Sequence, residues 1–465
     1  MNQKIPSKDI LTETSQLYAS REQIYTRSFS GFYRNLRRLG GSILFLLYFG
    51  TVWLQWNGRQ AIWWNLPERK FYILGSTFWP QDFILLSSLL IICAFGLFFI
   101  TVFGGRIWCG YTCPQSVWTW VFMRIEKITE GDRNQRIKRD KQNLSLNKFF
   151  RKLAKHTLWL AVGLATAITF VGYFSPIREL IPELFALKAN AWAVFWIAFF
   201  MLATYGNAGW LREQVCIYMC PYARFQSVMF DKDTLIVSYD SKRGETRGAR
   251  KKDTDYKSNG MGDCVDCHLC VQVCPTGIDI RDGLQLECIG CAACIDACDS
   301  IMKKMNYPKG LVSYTTEHNL SGKKTHILRP RLIGYAVALC VMLTAFGFAV
   351  SHRSLVALDV IKDRIIYREN HVGDIENVYT LKVMNKSQKT RFFTINASGI
   401  KGLVYEGDKQ VKVHAGEVLS VPVDLIIAPE KLKSSVNKII FHVQASDDSS
   451  VSMNADSRFN GPSIY

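Results

Sequence analysis

Five runs without a charged side chain stand out in the hydropathy pattern of the chain. They cover residues 40–56, 83–103, 157–177, 189–211 and 332–351, and each has 17 to 23 residues. A helix of that length crosses the roughly 30 Å of hydrocarbon in a bilayer. The alternative is a set of buried core helices in a soluble protein, but such helices seldom lack charge over five lengths of this size. The pattern therefore predicts five transmembrane helices.

Beyond residue 352 the pattern changes to short β-forming segments separated by turn residues. The segments lie at 378–383, 390–395, 411–413, 418–425 and 437–443. Strands at such spacing predict an antiparallel β-sandwich of immunoglobulin type over residues 352–465. The domain has no cysteine and no catalytic pattern. We expect it to serve in docking or assembly.

The distribution of Lys and Arg predicts the orientation of the five helices. The segment 1–39 contains seven, 104–156 contains twelve and 212–331 contains eighteen, whereas 57–82 and 178–188 contain three and two. Because basic loops stay on the cytoplasmic side, the first three segments are expected there and residues 352–465 outside. The net charge of +18 then reflects membrane topology and attraction to anionic lipid. Nucleic-acid binding, the other meaning of a basic chain, lacks an accompanying motif.

Eight of the fourteen cysteines repeat the spacing C-x-x-C-x-x-C-x-x-x-C twice. In ferredoxins this spacing holds two [4Fe–4S] clusters, and the fourth cysteine of each run binds the other cluster. The predicted ligand sets are Cys264, Cys267, Cys270 and Cys298 for one cluster, and Cys288, Cys291, Cys294 and Cys274 for the other. The ferredoxin-like domain is expected within residues 229–331, with its core at 260–305 and a charged connection before it.

Two other metal chemistries fit part of this stretch. Cys264 to His268 also match C-x-x-C-H, the attachment signature of c-type haem, and cysteine clusters bind zinc. Haem attachment takes place outside the cytoplasm, whereas the charge pattern places this stretch inside it. The doubled spacing favours iron–sulfur clusters over zinc. One position departs from ferredoxins, because Asp299 follows Cys298 where proline is usual.

Two further cysteine pairs share the pattern C-x-Y-x-C-P, each just after a predicted crossing. They are Cys109, Cys113 with Pro114, and Cys216, Cys220 with Pro221. If the crossing helix continues, both thiols of a pair share one face, and the proline then ends or kinks the helix. Adjacent thiolates suit Cu(I) and can also accept electrons as a disulfide. We therefore take these four cysteines as candidate catalytic and copper-binding residues. The simpler alternative is that they are small buried residues at helix ends.

The whole chain resembles the FixG/RdxA/CcoG family of cytochrome oxidase accessory proteins. The resemblance rests on five crossings, the paired C-x-x-x-C-P motifs, the cluster insert and the terminal β domain. Its most specific part is the stretch CPTGIDIRDGLQLECIGCAACIDACD, residues 274–299. It implies reduction of Cu(II) to Cu(I) for maturation of haem–copper oxidases. It also implies two [4Fe–4S] clusters, transiently bound copper, and oxidase subunits or copper-delivery proteins as partners. The electron donor is not specified.

The predicted architecture is a membrane α-helical bundle of five transmembrane helices in the bacterial inner membrane. It has an inserted cytoplasmic two-cluster ferredoxin-like domain and a periplasmic immunoglobulin-like β-sandwich. The first four helices fall in residues 40–228, with the fifth at 332–351. Two other functions stay open: a quinol-oxidising electron conduit of NapH type, which generally lacks the β domain, and a non-redox assembly scaffold.

Overall fold

The computed structural model describes residues 23–252 and 254–462. Residues 1–22 of the predicted segment 1–39, residue 253 of the connection, and residues 463–465 of the β domain lie outside this description. The chain divides into two compact units. One contains the residues up to Phe45, Leu97–Thr166 and Ala198–Tyr335, and the other contains Leu46–Gly96, Ala167–Ile197 and the residues from Ala336 onward.

The described α-helices range from single turns to membrane-crossing length. In chain order they are α1 Phe32–Thr51, α2 Phe83–Gly104, α3 Ile107–Tyr111, α4 Pro114–Glu130, α5 Arg133–Lys141, α6 Leu146–Gly172, α7 Ile177–Phe185, α8 Ala191–Thr204, α9 Pro221–Met229, α10 Ser241–Gly244, α11 Leu269–Gln272, α12 Ala293–Met305, α13 Glu317–Leu320 and α14 Pro330–Ser351.

Four helical stretches of the described chain are long and apolar enough to cross a membrane. They are Pro80–Gly104, Leu146–Gly172, Ala191–Leu211 and Pro330–Ser351. Each overlaps a predicted crossing. The third stretch combines α8 with a π-helical continuation, Tyr205–Leu211. The side chains along these stretches are mostly exposed on the protein, as lipid-facing positions would be.

The first predicted crossing, residues 40–56, has different bounds in the structure. Helix α1 begins at Phe32 and ends at Thr51, and its first half includes Arg34, Arg37 and Arg38. Beyond it, Gln55 pairs with Gln60 in a hairpin. The turn is Asn57-Gly58, with both residues in the left-handed region (φ 50° and 78°). Asn-Gly is a strong hairpin signal, and it ends the helical run that the hydropathy pattern had extended to Trp56.

The described strands form small sheets near the helices and two larger sheets after residue 352. They are β1 Gln55–Trp56, β2 Arg59–Gln60, β3 Ile62–Asn65, β4 Lys70–Ile73, β5 Ser76–Phe78, β6 Ile236–Tyr239, β7 Val312–Thr315, β8 Val356–Lys362, β9 Arg368–Glu369, β10 Ile375–Asn385, β11 Arg391–Ser398, β12 Val404–Gly407, β13 Gln410–Val413, β14 Val418–Ile427, β15 Val436–Ala445 and β16 Ser452–Asn460.

The C-terminal domain is a β-sandwich. One sheet has the order β12–β14–β10–β8, with β9 on β10, and the other has β13–β11–β15–β16. Alternate residues of β10 and β14 point inward, and they join the second sheet in one core around Tyr379, Phe393 and Phe441. The predicted strands were based on β-forming residues, alternating or clustered, between turn signals. Strands β8, β9, β12 and β16 were not predicted.

The cysteine-rich segment is enclosed by the antiparallel pair β6 and β7, in which Ile236 faces Thr315. Inside this frame Val237, Ile295 and Met302 form an apolar core with several of the cysteines. The preceding connection is not wholly extended, since Tyr256 is buried and its ring packs on Tyr307 with centroids 4.6 Å apart. The strands that precede and follow the cysteine segment in sequence are therefore paired with each other, which holds the two ends of the segment together.

Candidate metal centres

The two cysteine runs adopt the same backbone conformation around their second cysteine. In the first run Asp266 and His268 have positive φ (50° and 53°), and in the second Gly290 and Ala292 do (63° and 57°). Helix α11 starts after His268 and helix α12 after Ala292. Turns of this kind point successive backbone N–H groups into one concavity, a geometry common at iron–sulfur sites. The sequence repeat is therefore also a structural repeat.

The eight thiols of these runs surround two separate cavities. One is lined by Cys264, Cys267, Cys270 and Cys298, together with apolar side chains of α12 and β7. The other is lined by Cys274, Cys288, Cys291 and Cys294, and Cys270 also reaches its wall. Hence the fourth cysteine of each run lies with the first three of the other run.

Burial places five of these thiols in an environment that disfavours free thiolates, namely Cys270, Cys274, Cys288, Cys294 and Cys298. The pKa of Cys270, Cys288 and Cys298 is raised to about 12, mainly by burial, and neighbouring thiols contribute to the increase at Cys288 and Cys298. The pKa of Cys294 is raised well above its usual value for the same reasons. Four soft donors around one cavity would be held as thiolates by a bound cluster, whose iron would supply the compensating positive charge. The donor set fits two four-cysteine clusters.

Two residues that differ from a simple ferredoxin have structural partners. His268 is exposed and its Nδ1 lies 2.9 Å from the Arg281 guanidinium, and both residues also line the first thiol cavity. Asp299 accepts a hydrogen bond from the backbone N–H of Gly310 at 2.9 Å. The carboxylate therefore fixes the loop before β7, where proline would offer no side-chain acceptor.

The paired C-x-x-x-C-P motifs fold differently from the predicted continuous helix. Helix α3 ends at Tyr111, and Cys113 is the N-cap of α4, with Pro114 as its first residue. In the second motif a short π-helix, Val215–Met219, ends before Cys220, the N-cap of α9. The prediction that each proline ends the helix containing its thiols was wrong. Proline is favoured at the first helical position, where its missing N–H costs nothing.

The four thiols of these motifs nevertheless lie in one neighbourhood. Burial raises the pKa of Cys109 to about 12, with further contributions from Cys113 and Cys216. Burial likewise raises the pKa of Cys216 to about 11, with contributions from Cys113 and Cys220. The Cys109 thiol also donates a hydrogen bond to Oε1 of the buried Gln226 at 3.4 Å. The structure thus brings the two motifs together.

The backbone of the first C-x-x-x-C-P motif is in close contact with the loop that carries Cys291 of the second cysteine cavity. A Cβ at Gly110 would lie 2.8 Å from the carbonyl oxygen of Gly290 and 2.9 Å from Cα of Cys291. The buried Arg106 side chain donates to the carbonyl oxygens of Cys288 at 3.3 Å and Ala223 at 2.6 Å. It connects the loop of the second cavity with α9.

Arg37 of α1 extends these contacts, since it donates to the Cys291 carbonyl oxygen at 3.1 Å. In addition, Asp296 of α12 accepts from the backbone N–H of Tyr33 (3.2 Å) and Arg34 (2.7 Å), the first turn of α1. Sequence analysis did not identify Arg37, Arg106 or Asp296. Only Gly110, inside a motif, offered a local signal.

Helix α4 begins at the proline of the first motif, and it also contacts the segment that leads into the second motif. Gln115, directly after Pro114, donates to the carbonyl oxygens of Asn207 and Arg212 at 2.8 and 3.1 Å. At the other end of α4 the buried Glu126 pairs with Arg136 at 2.6 Å and also with Arg212. One carboxylate therefore anchors the segment that leads into Cys216.

Two family models match the chain. Residues 211–317 match a model described as a 4Fe-4S dicluster domain, and residues 346–462 match one described as an IG-like fold at the C-terminal of FixG.

Three curated relatives cover most of the chain. The nitrogen fixation protein FixG of Rhizobium meliloti is 36% identical over 424 residues, which is 83% of this chain and 80% of that protein. Protein RdxB of Cereibacter sphaeroides is 37% identical over 426 residues, 88% of each chain. Protein RdxA of the same organism is 37% identical over 404 residues, 83% of this chain and 84% of that protein.

Fold, thiol groups and matches together define a 4Fe–4S dicluster protein with several apolar helices and a C-terminal immunoglobulin-like domain. The chain belongs to the FixG/RdxA family.

Proposed function

We propose that this chain reduces Cu(II) to Cu(I) in support of the assembly of a haem–copper cytochrome c oxidase. The observation that carries the proposal is the convergence of Cys109, Cys113, Cys216 and Cys220 beside the Cys291 loop. A soft-ligand group and a cluster cavity share a backbone contact. Such an arrangement suits the transfer of an electron to a thiophilic ion.

The clusters are held, in this proposal, by the two thiol groups that surround the cavities. The ligands of one are Cys264, Cys267, Cys270 and Cys298, and those of the other are Cys274, Cys288, Cys291 and Cys294. When bound, the clusters supply the single electrons that reduction of Cu(II) requires. The apolar side chains around each cavity, among them Ile289 and Leu311, exclude water from it.

Copper is the substrate and is placed at the four converging thiols. Thiolate is a soft ligand and prefers Cu(I) to Cu(II), so ligation itself favours the reduced ion. The positive Arg106 guanidinium stabilises the thiolate form and therefore lowers the pKa of both Cys109 and Cys216. Burial still dominates and keeps these two thiols protonated until copper replaces their protons.

The placement of the site is part of the proposal. Segment 1–39 and residues 104–156 and 212–331 are on the cytoplasmic side of the inner membrane, and the β-sandwich is in the periplasm. Helix α1 is then a crossing in addition to the four long apolar stretches, with Arg34, Arg37 and Arg38 at its cytoplasmic end. The sandwich would meet oxidase subunits or copper-delivery proteins outside, while an unidentified electron donor acts inside.

The test is an anaerobic titration of purified protein with Cu(II), with and without chemical reduction of the clusters. Reduced wild-type protein should form Cu(I), detected by a Cu(I)-specific chelator. The Cys109→Ser, Cys113→Ser, Cys216→Ser and Cys220→Ser quadruple variant should keep its iron but lose this activity, since serine is a poor ligand for a soft ion. Cys93→Ser with Cys340→Ser, two cysteines exposed on long helices, is the matched control.

Single-motif variants refine the same experiment. Because the two motifs share one neighbourhood, replacement of either pair should abolish nearly all Cu(I) formation, instead of half of it. Undiminished copper reduction in the quadruple variant would remove copper from these motifs. A quinol-oxidising conduit of NapH type, measured as quinol-dependent cluster reduction, would then be the better account, and a non-redox scaffold if that also failed.

A further inference from the structure

A second group of metal-ligating side chains lies away from the cysteines. Asp233, His318 and His326 each offer one ligand atom, and these atoms all lie within 4.8 Å of one another. Asp233 follows α9, while the two histidines lie between β7 and α14. The three residues are up to 93 positions apart in sequence, and no spacing pattern in the sequence predicts that they lie together.

The backbone holds the three residues together before any ion binds. The N–H of His318 donates to the carbonyl oxygen of Lys232 at 3.1 Å. The N–H of His326 donates to Oδ1 of Asp233 at 3.0 Å. The turn that presents Asp233 is itself closed, since the Asp233 N–H donates to Asp231 at 2.9 Å. A site built on such fixed backbone needs little reorganisation to bind a ligand.

The side-chain distances suit a common metal ion. His318 Nδ1 lies 2.8 Å from Oδ1 of Asp233, and His326 Nδ1 lies 3.9 Å from Oδ2. Ligands at normal metal–nitrogen and metal–oxygen distances are about 2.8 to 3.4 Å apart. The first pair already meets this spacing. The His326 side chain is 70% exposed, so its ring can turn to complete the set and solvent can reach the open positions.

The neighbouring charges leave the Asp233 carboxylate available. Asp231, the adjacent acid, is paired with Arg329 at 2.7 Å. The opposite face of the site is formed by His318, which is partly buried, and by the exposed His326. A hydrogen bond between His318 and Asp233 that serves only the fold is the simpler role for the contact. That role involves only His318. It does not explain why the backbone N–H of His326 is also held by the Asp233 carboxylate.

Two imidazoles and one carboxylate form a donor set quite unlike the four thiols. Such nitrogen and oxygen ligands bind divalent first-row ions, and affinity rises along the series to Cu(II) before falling at Zn(II). Cu(I) prefers the sulfur ligands. The two sites of the chain are therefore matched to the two oxidation states of copper.

We infer that Asp233, His318 and His326 form a binding site for a divalent transition-metal ion, and that Cu(II) binds most tightly. The role of this site as the place where Cu(II) is taken up before reduction rests on the function proposed above. The binding of the ion itself does not rest on that function. It follows from the donor set and its fixed backbone.

The experiment uses full-length protein purified without a polyhistidine tag, in the background of the quadruple Ser variant of the C-x-x-x-C-P cysteines. One equivalent of Cu(II) is added and its electron paramagnetic resonance spectrum is recorded, with the affinity measured by competition with glycine. Expected is an axial Cu(II) signal with hyperfine coupling to two imidazole nitrogens. His318→Ala combined with His326→Ala should weaken binding by at least about 100-fold, beyond the loss typical of outer-shell ligand partners.

His326→Ala alone separates metal binding from folding, because this side chain is largely exposed. It should reduce the coupling from two nitrogens to one and weaken Cu(II) binding by about tenfold or more. His371→Ala, an exposed histidine of the β-sandwich, should change nothing. The inference is overturned if Cu(II) binding or its nitrogen coupling is the same with and without His326.

These outcomes differ from those that test copper reduction. If the quadruple variant binds Cu(II) but wild-type protein never forms Cu(I), the site stands and the proposed function fails. If wild-type protein forms Cu(I) while the histidine variants bind Cu(II) normally, the function stands and this site is rejected.

Discussion

Gly110 lies against Cys291 so closely that a methyl group at position 110 would be 2.9 Å from the Cys291 α-carbon. The contact joins the first C-x-x-x-C-P motif to the loop of the second cysteine cavity, backbone to backbone. Two backbone segments in contact cannot be separated by a change of side-chain rotamer, whereas the ends of two side chains can. The glycine therefore sets how near the converging thiols come to this cavity.

Gly110→Ala should separate the two loops and slow copper reduction. A displacement of about 1 Å between reacting groups can cost on the order of 100-fold in rate. We expect a fall of about ten- to 100-fold in Cu(I) formation by the reduced protein, with the iron content unchanged. Gly40→Ala is the control, because a Cβ there would meet nothing within 4 Å. An unaltered rate in Gly110→Ala would show that this contact does not limit the reaction.

Glu126→Ala should destabilise the protein and the second motif together. It leaves Arg136 and Arg212 without their shared carboxylate in a buried environment. Loss of one partner of a buried ion pair costs about 3–5 kcal/mol, measurable as a lowered free energy of unfolding in detergent. Copper binding should fall as well, since Arg212 leads into Cys216. Asp456→Ala breaks an exposed pair with Lys438 and should cost about 1 kcal/mol or less.

The cross-over of the two cysteine runs makes a prediction for iron content. Wild-type protein purified without oxygen should contain about eight iron and eight sulfide ions per chain. Cys298→Ala should reduce both to about four and replace the interacting spin signal of the reduced protein by that of a single cluster. Cys340→Ala, on α14, should retain the full content. About four iron ions in the wild-type protein would contradict the two-cluster assignment.

Copper binding should release protons, because burial raises the pKa of Cys109 to about 12 and of Cys216 to about 11. Both thiols are protonated at neutral pH, and only the thiolate binds Cu(I). Raising the pH lowers the competition from protons, so the affinity for Cu(I) should increase, by about tenfold per pH unit for each proton released.

A pH indicator in weakly buffered, anaerobic solution measures this release. About two protons per Cu(I) are expected from these two groups at pH 7, and the quadruple Ser variant should release none. Cu(I) affinity that is constant between pH 6 and 8 would show that Cys109 and Cys216 are not ligands.

The sequence predicted the residues of the thiol groups better than their arrangement. Spacing alone grouped Cys264 with Cys298, because ferredoxin ligands recur at fixed intervals along the chain, and both thiols line one cavity in the structure. It could not show that Cys109 meets Cys216, since contacts over such separations depend on how α4 packs beside the π-helix before Arg212. The histidine site is the extreme case, because Asp233 and His326 share no local pattern.

Some misses had signals in the sequence. Asn57-Gly58 marks a hairpin turn, yet the apolar run around it favoured a longer helix. Pro114 and Pro221 were taken as helix ends, although proline is equally suited to the first residue of a helix. In both cases the local backbone preference of one or two residues decided where the element began or ended.

The sidedness of the membrane is the last expectation to test, and α1 is its critical element. Only residues Leu39 to Thr51 of this helix follow its three arginines without further charge, which is short for a crossing of about 20 residues. If α1 does cross, alkaline phosphatase inserted between Asn57 and Gly58 should be active in the periplasm, as should a fusion after residue 465. A fusion at the amino terminus and an insertion after the exposed Lys252 should both be inactive, and green fluorescent protein should give the reverse pattern at all four positions. If instead the amino-terminal and Asn57 positions report the same side, α1 lies along the membrane and the chain has four crossings. Activity of the phosphatase after Lys252 would move the cysteine cavities out of the reducing cytoplasm and would contradict the proposed source of electrons.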